Sequence, residues 1–145
     1  MGRIAAGRGQ IFNIEGYGSD GRMMRPGMAV YGSTKAATRY FTRSVARELA
    51  GTGVQLGTLM PGAVITDMLV SMVGDLPPDE RDGARRRYNI IGDPVDVVAP
   101  WLADRVLANT RNGAEISRIS VPRIALRFLS PRYRRRELFP ALTQS

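Results

Sequence analysis

Apolar positions change their period along the chain, and each change marks an element. Gln10–Glu15 (QIFNIE) is a short, mostly apolar run with β-branched and aromatic residues, and it predicts a buried strand. Four glycines and a proline within the twelve residues Gly16–Gly27 predict a loop. From Ala29 to about Ala50, the residues Ala37, Phe41, Val45 and Leu49 recur every four positions, which predicts an amphipathic helix ended by Gly51 and Gly53. Val54–Met60 (VQLGTLM) reads as a second strand, closed by Pro61-Gly62. Residues 63–92 carry Pro77-Pro78 and the charged run Asp79–Arg87, and are expected to be irregular or short-helical. Asp93 reads as the N-cap, and Pro94 as the first position, of a helix reaching about Thr110, with Pro100 kinking or restarting it. Asn112-Gly113 marks a turn, and Ala114–Val121 (AEISRISV) a third strand. The tail, Pro122–Ser145, is basic and has room for one more helix around Ile124–Leu129.

Strand, helix, strand, helix, strand is the order of a parallel α/β fold with crossover helices. About three strands are too few for a complete doubly wound sheet. The expected division is therefore a partial α/β domain over residues 1–121 and a basic tail over 122–145.

Composition narrows the chemistry. The chain has 145 residues, enough for one domain, and 43% of them are hydrophobic, enough for a core. There is no cysteine and no histidine, so thiolate and imidazole chemistry, disulfides and His-ligated zinc are excluded. No stretch approaches the roughly 20 apolar residues of a membrane span. The first ten residues lack the apolar core of a signal peptide, so a cytoplasmic protein is expected. The net charge is +8, and of the 21 basic residues only Lys35 is lysine. An ammonium is a compact charge and a guanidinium is not, so that one lysine draws attention to its position. The clusters Arg85–Arg87 and Arg132–Arg136 read first as solvated surface. The alternative is a non-catalytic basic module that binds a membrane surface or nucleic acid through its tail. No specific nucleic-acid motif is present.

Tyr31-Gly32-Ser33-Thr34-Lys35 is the central motif. Tyrosine and lysine four apart at a helix start share one face. A free phenol, with a pKa of roughly 10, is a poor acid-base catalyst at neutral pH. A nearby ammonium favours its ionised form. Tyr31 can then pass a proton to a carbonyl oxygen as hydride arrives, or take one back. Gly16-Tyr17-Gly18-Ser19-Asp20-Gly21 matches the dinucleotide fingerprint literally, but Pro26-Gly27 follows where that fingerprint needs a helix. It is read as a decoy.

The Tyr31–Lys35 motif follows a strand and a glycine loop. It opens a helix that leads to a second strand, then Pro61-Gly62, then Thr66. From about Gln10 to Val121 this order resembles the short-chain dehydrogenase/reductase family. IFNIEGYGSDG, AVYGSTK, RYNIIGDPVDVVAPWL and VPRIALRFLSPRYRRR are similar to its chlorophyll b reductase branch. The resemblance implies the C-terminal half of a Rossmann-type doubly wound parallel sheet, with the N-terminal half missing. It implies an NADP or NAD cofactor, NADPH being favoured, and a small-molecule carbonyl or tetrapyrrole substrate. It also implies a homo-oligomer.

By the same resemblance Tyr31 is the proton donor, and Lys35 supports it and holds the ribose. Pro61, Gly62, Val64 and Thr66 lie along the cofactor, with Val64 at the nicotinamide carboxamide. The family's carbonyl-polarising serine lies about a dozen residues before the tyrosine, which selects Ser19. Counted forward from the strand, its place falls at Glu15-Gly16, where there is no serine. The family's glycine-rich pyrophosphate loop has no counterpart, so the chain by itself is expected not to catalyse the reaction.

Overall fold

The computed structural model describes residues 7–139. These fall into two compact units. The first comprises the residues up to Pro61 together with Leu102–Arg118, and the second comprises Gly62–Trp101 together with the stretch from Ile119 on.

The first unit bears out the parallel α/β expectation. β1 (Gly9–Ile14), β2 (Val54–Met60) and β5 (Glu115–Ser117) form one sheet in the order β1-β2-β5, and both pairings are parallel. In register, Gly9 faces Val54 and Ile14 faces Leu59. A parallel pair cannot be closed by a hairpin, and the β1–β2 crossover is the twenty-residue helix α1 (Ala29–Glu48). Val54, Leu56, Leu59, Ala46 and Ala114 form the buried apolar layer.

The inward face of α1 differs from the periodic reading. Thr42 and Ala46 are buried, whereas Phe41 is 58% exposed. Small side chains let the helix lie close on the sheet. The Thr42 hydroxyl satisfies itself there, donating to the Thr38 carbonyl at 2.7 Å and accepting from Asn13 at 2.8 Å. The third strand is also shorter than the expected Ala114–Val121, because only Glu115–Ser117 finds partners on β2.

The second unit is more helical than its sequence suggests. In place of an irregular 63–92 there are a two-residue strand β3 (Val64–Ile65), helix α2 (Asp67–Gly74) and helix α3 (Pro78–Ile91). Thr66 caps α2 by accepting from the Leu69 amide. Pro78 opens α3, and Asp79 and Glu80 sit in its first turn, where carboxylates suit the helix dipole. The charged run thus covers one face of α3, while Ala84 and Asn89 are buried.

Asp93-Pro94 does not occupy the cap and first position of the next helix. It is strand β4 (Asp93–Pro94), parallel to β3, and helix α4 (Val95–Leu107) starts after it and runs through Pro100. Leu69, Val73, Ala84 and Phe139 form this unit's core, with Tyr88 tilted against Phe139 at 6.5 Å between ring centroids.

The basic segment carries helix α5 (Val121–Leu129), longer than the expected 124–129, and a last turn α6 (Pro131–Arg134). Both pack on α3. Their anchor is Asp93, whose carboxylate binds Arg127 at 2.7 Å and Arg136 at 3.3 Å, while both guanidinium groups lie over the Tyr133 ring. Glu137 is held below the usual carboxylate range, chiefly by the Asn89 amide hydrogen bond and then by Arg85. Among the described residues no helix is long and apolar enough to cross a membrane.

Candidate functional site

The site grows from the carboxyl end of β1, where open α/β sheets bind ligands. The chain leaves the strand at Ile14, turns through 17–22, and enters α1 only at Ala29. The literal glycine fingerprint at Gly16–Gly21 therefore opens no helix and presents no helix N-terminus to a pyrophosphate. Tyr31 lies in the first turn of α1 and Lys35 one turn on, so both reach back over the end of β1.

They meet at Gly16. A Cβ added there would overlap the Tyr31 hydroxyl and come within 3.3 Å of Lys35 Cε. The phenol thus lies against bare backbone at the strand end. Lys35 Nζ donates to the Ile14 carbonyl at 3.1 Å and sits 5.7 Å from the Tyr31 ring centroid. That hydrogen bond fixes the ammonium beside the phenol rather than leaving it free in solvent. Tyr31 remains 39% exposed, so a solute can reach it. A proton donor, a fixed cation and an open face are the parts that proton transfer to a carbonyl oxygen requires.

Ser19 is placed differently. It is buried, and its hydroxyl donates to Glu15 Oε2 at 2.8 Å. The same oxygen accepts from Arg39 at 2.6 Å, and Arg39 reaches on to Glu115 at 2.9 Å, which also binds Arg43 at 2.7 Å. Ser19 is therefore a member of a buried polar network that ties the loop to α1 and β5. Of Glu15 and Gly16, where forward counting put the family's serine, Gly16 is the residue that faces Tyr31.

Arg39, and the parts that Glu15 and Gly16 play, are structurally central features that sequence reasoning passed over. Two signals were available. Glu15 is a carboxylate ending an apolar strand, and Lys35, Arg39 and Arg43 form a cation row at four-residue spacing.

Pro61 belongs to the first unit, at the end of β2; Gly62, Val64 and Thr66 belong to the second. Gly62 has a φ of 87°, a left-handed turn that favours glycine, and a side chain there would also meet Ile119. Val64 pairs with Asp93, and Thr66 caps α2. Among the described residues no cluster of acidic side chains could hold a metal ion. A groove of about 500 Å³ lies beside the start of α1, lined by Tyr17, Met23, Met24, Met28 and Gly32 among others. Methionines are flexible and polarisable, and adapt to irregular apolar surfaces.

Known proteins resemble this chain in sequence and fold. A chloroplastic protein of Arabidopsis thaliana described as "Probable chlorophyll(ide) b reductase" is 34% identical over 131 residues, 90% of this chain but 25% of its own length. A second chloroplastic chlorophyll(ide) b reductase of Arabidopsis is 36% identical over 109 residues, 73% of this chain and 29% of its own length. The fold matches a gluconate 5-dehydrogenase from Burkholderia cenocepacia, solved with NADP and tartrate, at 28% identity and a TM-score of 0.58, over 79% of this chain and 44% of that one. The chain thus spans about a quarter of the first relative and under half of the solved enzyme. The family model for short chain dehydrogenase matches residues 3–76, the stretch that contains β1, the glycine loop, Tyr31, Lys35 and β2. With that match over half its length, the chain belongs to the short-chain dehydrogenase family.

Proposed function

We propose that this chain carries the proton-transfer part of an NAD(P)H-dependent carbonyl reduction, and that the carbonyl is the formyl group of a chlorophyll b-like tetrapyrrole. The observation that carries the reaction class is the meeting of Tyr31 and Lys35 over the bare backbone of Gly16. Similarity to chlorophyll(ide) b reductases along 90% of the chain supports the substrate, and the methionine-lined groove suits a large apolar ring.

When bound, a reduced nicotinamide supplies the hydride that the carbonyl carbon accepts. Tyr31 supplies the proton that the carbonyl oxygen accepts, the product is an alcohol, and the phenolate left behind is reprotonated from solvent. Lys35 stabilises that phenolate electrostatically, and its ammonium is also the donor of this unit that would hold a cofactor ribose. The residues fit the nicotinamide end of the cofactor. Among the described residues no glycine-rich strand-to-helix turn offers a seat for its pyrophosphate.

The test is a chimera in which the N-terminal half of a matching chlorophyll(ide) b reductase precedes this chain. It should oxidise NADPH in the presence of chlorophyllide b, followed as loss of nicotinamide absorbance. Tyr31→Phe should lower turnover by a factor on the order of a thousand, the loss expected of a general acid. Lys35→Arg should also fail, because a bulky guanidinium does not replace the compact ammonium. An active chimera that ignores chlorophyllide b but reduces other aldehydes overturns the substrate. Tyr31→Phe at wild-type turnover overturns the mechanism.

A further inference from the structure

Helix α5 is built inside out. Arg127 is 8% exposed and turned inward, where it binds Asp93 and donates to the Ile91 carbonyl at 2.8 Å. The apolar side chains point the other way: Val121 is 82%, Leu126 66% and Leu129 77% exposed, and Phe128 is exposed beside them. At 100° per residue, Val121, Pro122, Ala125, Leu126, Phe128 and Leu129 fill one continuous arc of roughly 160°, opposite Arg127. An outward apolar stripe of this kind is the pattern of a helix lying in a water–lipid interface.

Charge identifies the occupant. Directly after the stripe come Arg132, Arg134 and Arg135, all exposed, whereas Arg136 is turned in to Asp93. Three adjacent exposed cations beside an apolar stripe complement a surface that is apolar inside and anionic at its rim. An anionic bilayer uses both, taking the leucines at the acyl boundary and the guanidinium groups among its headgroups. The Asp93–Arg127–Arg136 clamp over Tyr133 holds stripe and cations in one rigid piece, so little ordering cost remains on docking. We infer that α5 and the following arginines form a docking surface for an anionic lipid bilayer. A chain held there would meet an apolar substrate at the membrane surface.

Co-sedimentation of the 145-residue chain with vesicles tests this. It should be retained by phosphatidylglycerol/phosphatidylcholine vesicles at low salt, and released by high salt or by phosphatidylcholine alone. Replacing Arg132, Arg134 and Arg135 together by glutamine should lower partitioning by about a hundredfold. Leu126→Gln with Leu129→Gln should lower it by at least about tenfold. Both sets change exposed residues, and an unchanged far-UV circular dichroism spectrum confirms the fold. Leu129→Trp should keep binding and be quenched by brominated lipid. No retention by anionic vesicles at low salt overturns the inference, as does retention that neither set alters. Dependence on the arginines alone, with Leu129→Trp unquenched, also overturns it. So does a dimer in sedimentation equilibrium that the leucine changes dissolve while vesicle binding is absent.

Discussion

Replacing Arg39 by methionine removes one guanidinium that two carboxylates share. Glu15 is 3% exposed and would keep only the Ser19 hydroxyl as a donor to Oε2; Glu115 is partly exposed and would keep Arg43. The two losses differ in size. The Glu115 pair is solvated and contributes at most about 1 kcal/mol. The Glu15 pair is buried, and stripping one partner from a buried pair costs about 3–5 kcal/mol, because the remaining charge is left without compensation. Methionine keeps most of the aliphatic packing of the arginine stem, so the lost ion pair dominates. The expected destabilisation is about 3 kcal/mol.

Urea unfolding followed by far-UV circular dichroism reads this, since α1 is the longest helix among the described residues. With a denaturant slope of about 2 kcal/mol per M, the midpoint should fall by about 1.5 M. Adding Glu15→Gln to Arg39→Met removes the stranded charge and should restore more than half of the loss. A single variant that loses under about 1 kcal/mol would refute the reasoning. So would a double variant as unstable as the sum of the two single changes.

Further outcomes follow from the same geometry. Gly16→Ala has an ordinary backbone conformation to adopt, so its effect comes from the methyl overlapping the Tyr31 hydroxyl; turnover of the chimera should fall about a hundredfold, the effect of displacing a catalytic group by about 1 Å. Asp93→Ala leaves Arg127 and Arg136 without their carboxylate and should cost about 3 kcal/mol, read as faster proteolysis within 123–136. Calorimetric titration of the chain by itself with NADPH and NADH should show dissociation constants of about 1 mM or weaker, because association must be offset by nicotinamide-end contacts alone. Micromolar binding by a monomeric sample would require a pyrophosphate seat that is not found among the described residues.

Much of the fold was legible because it depends on local pattern. The apolar runs at Gln10–Glu15 and Val54–Met60 are strands within one residue of their expected ends. Val54–Met60, in the middle of the sheet, is mostly buried as a parallel strand covered on both faces should be, whereas β1 is not the buried strand expected, with Ile11 43% and Ile14 52% exposed. Tyr31 and Lys35 share a face because four residues are about one helical turn, whatever surrounds them.

Tertiary structure decided what local pattern could not. Which face of α1 turns inward depends on how closely the helix must approach the sheet, and small Thr42 and Ala46 win over large Phe41. Asp93 carries a perfectly good capping side chain, but two arginines more than thirty residues away claim its carboxylate, and β3 claims its backbone. Ser19 sits at the right distance in sequence from Tyr31, yet its hydroxyl is bound by a glutamate that forms a long-range ion pair with Arg39. Counting residues gives spacing along the chain; only packing determines which partner a buried polar group finds, because such a group must be satisfied by whatever the fold brings within about 3 Å.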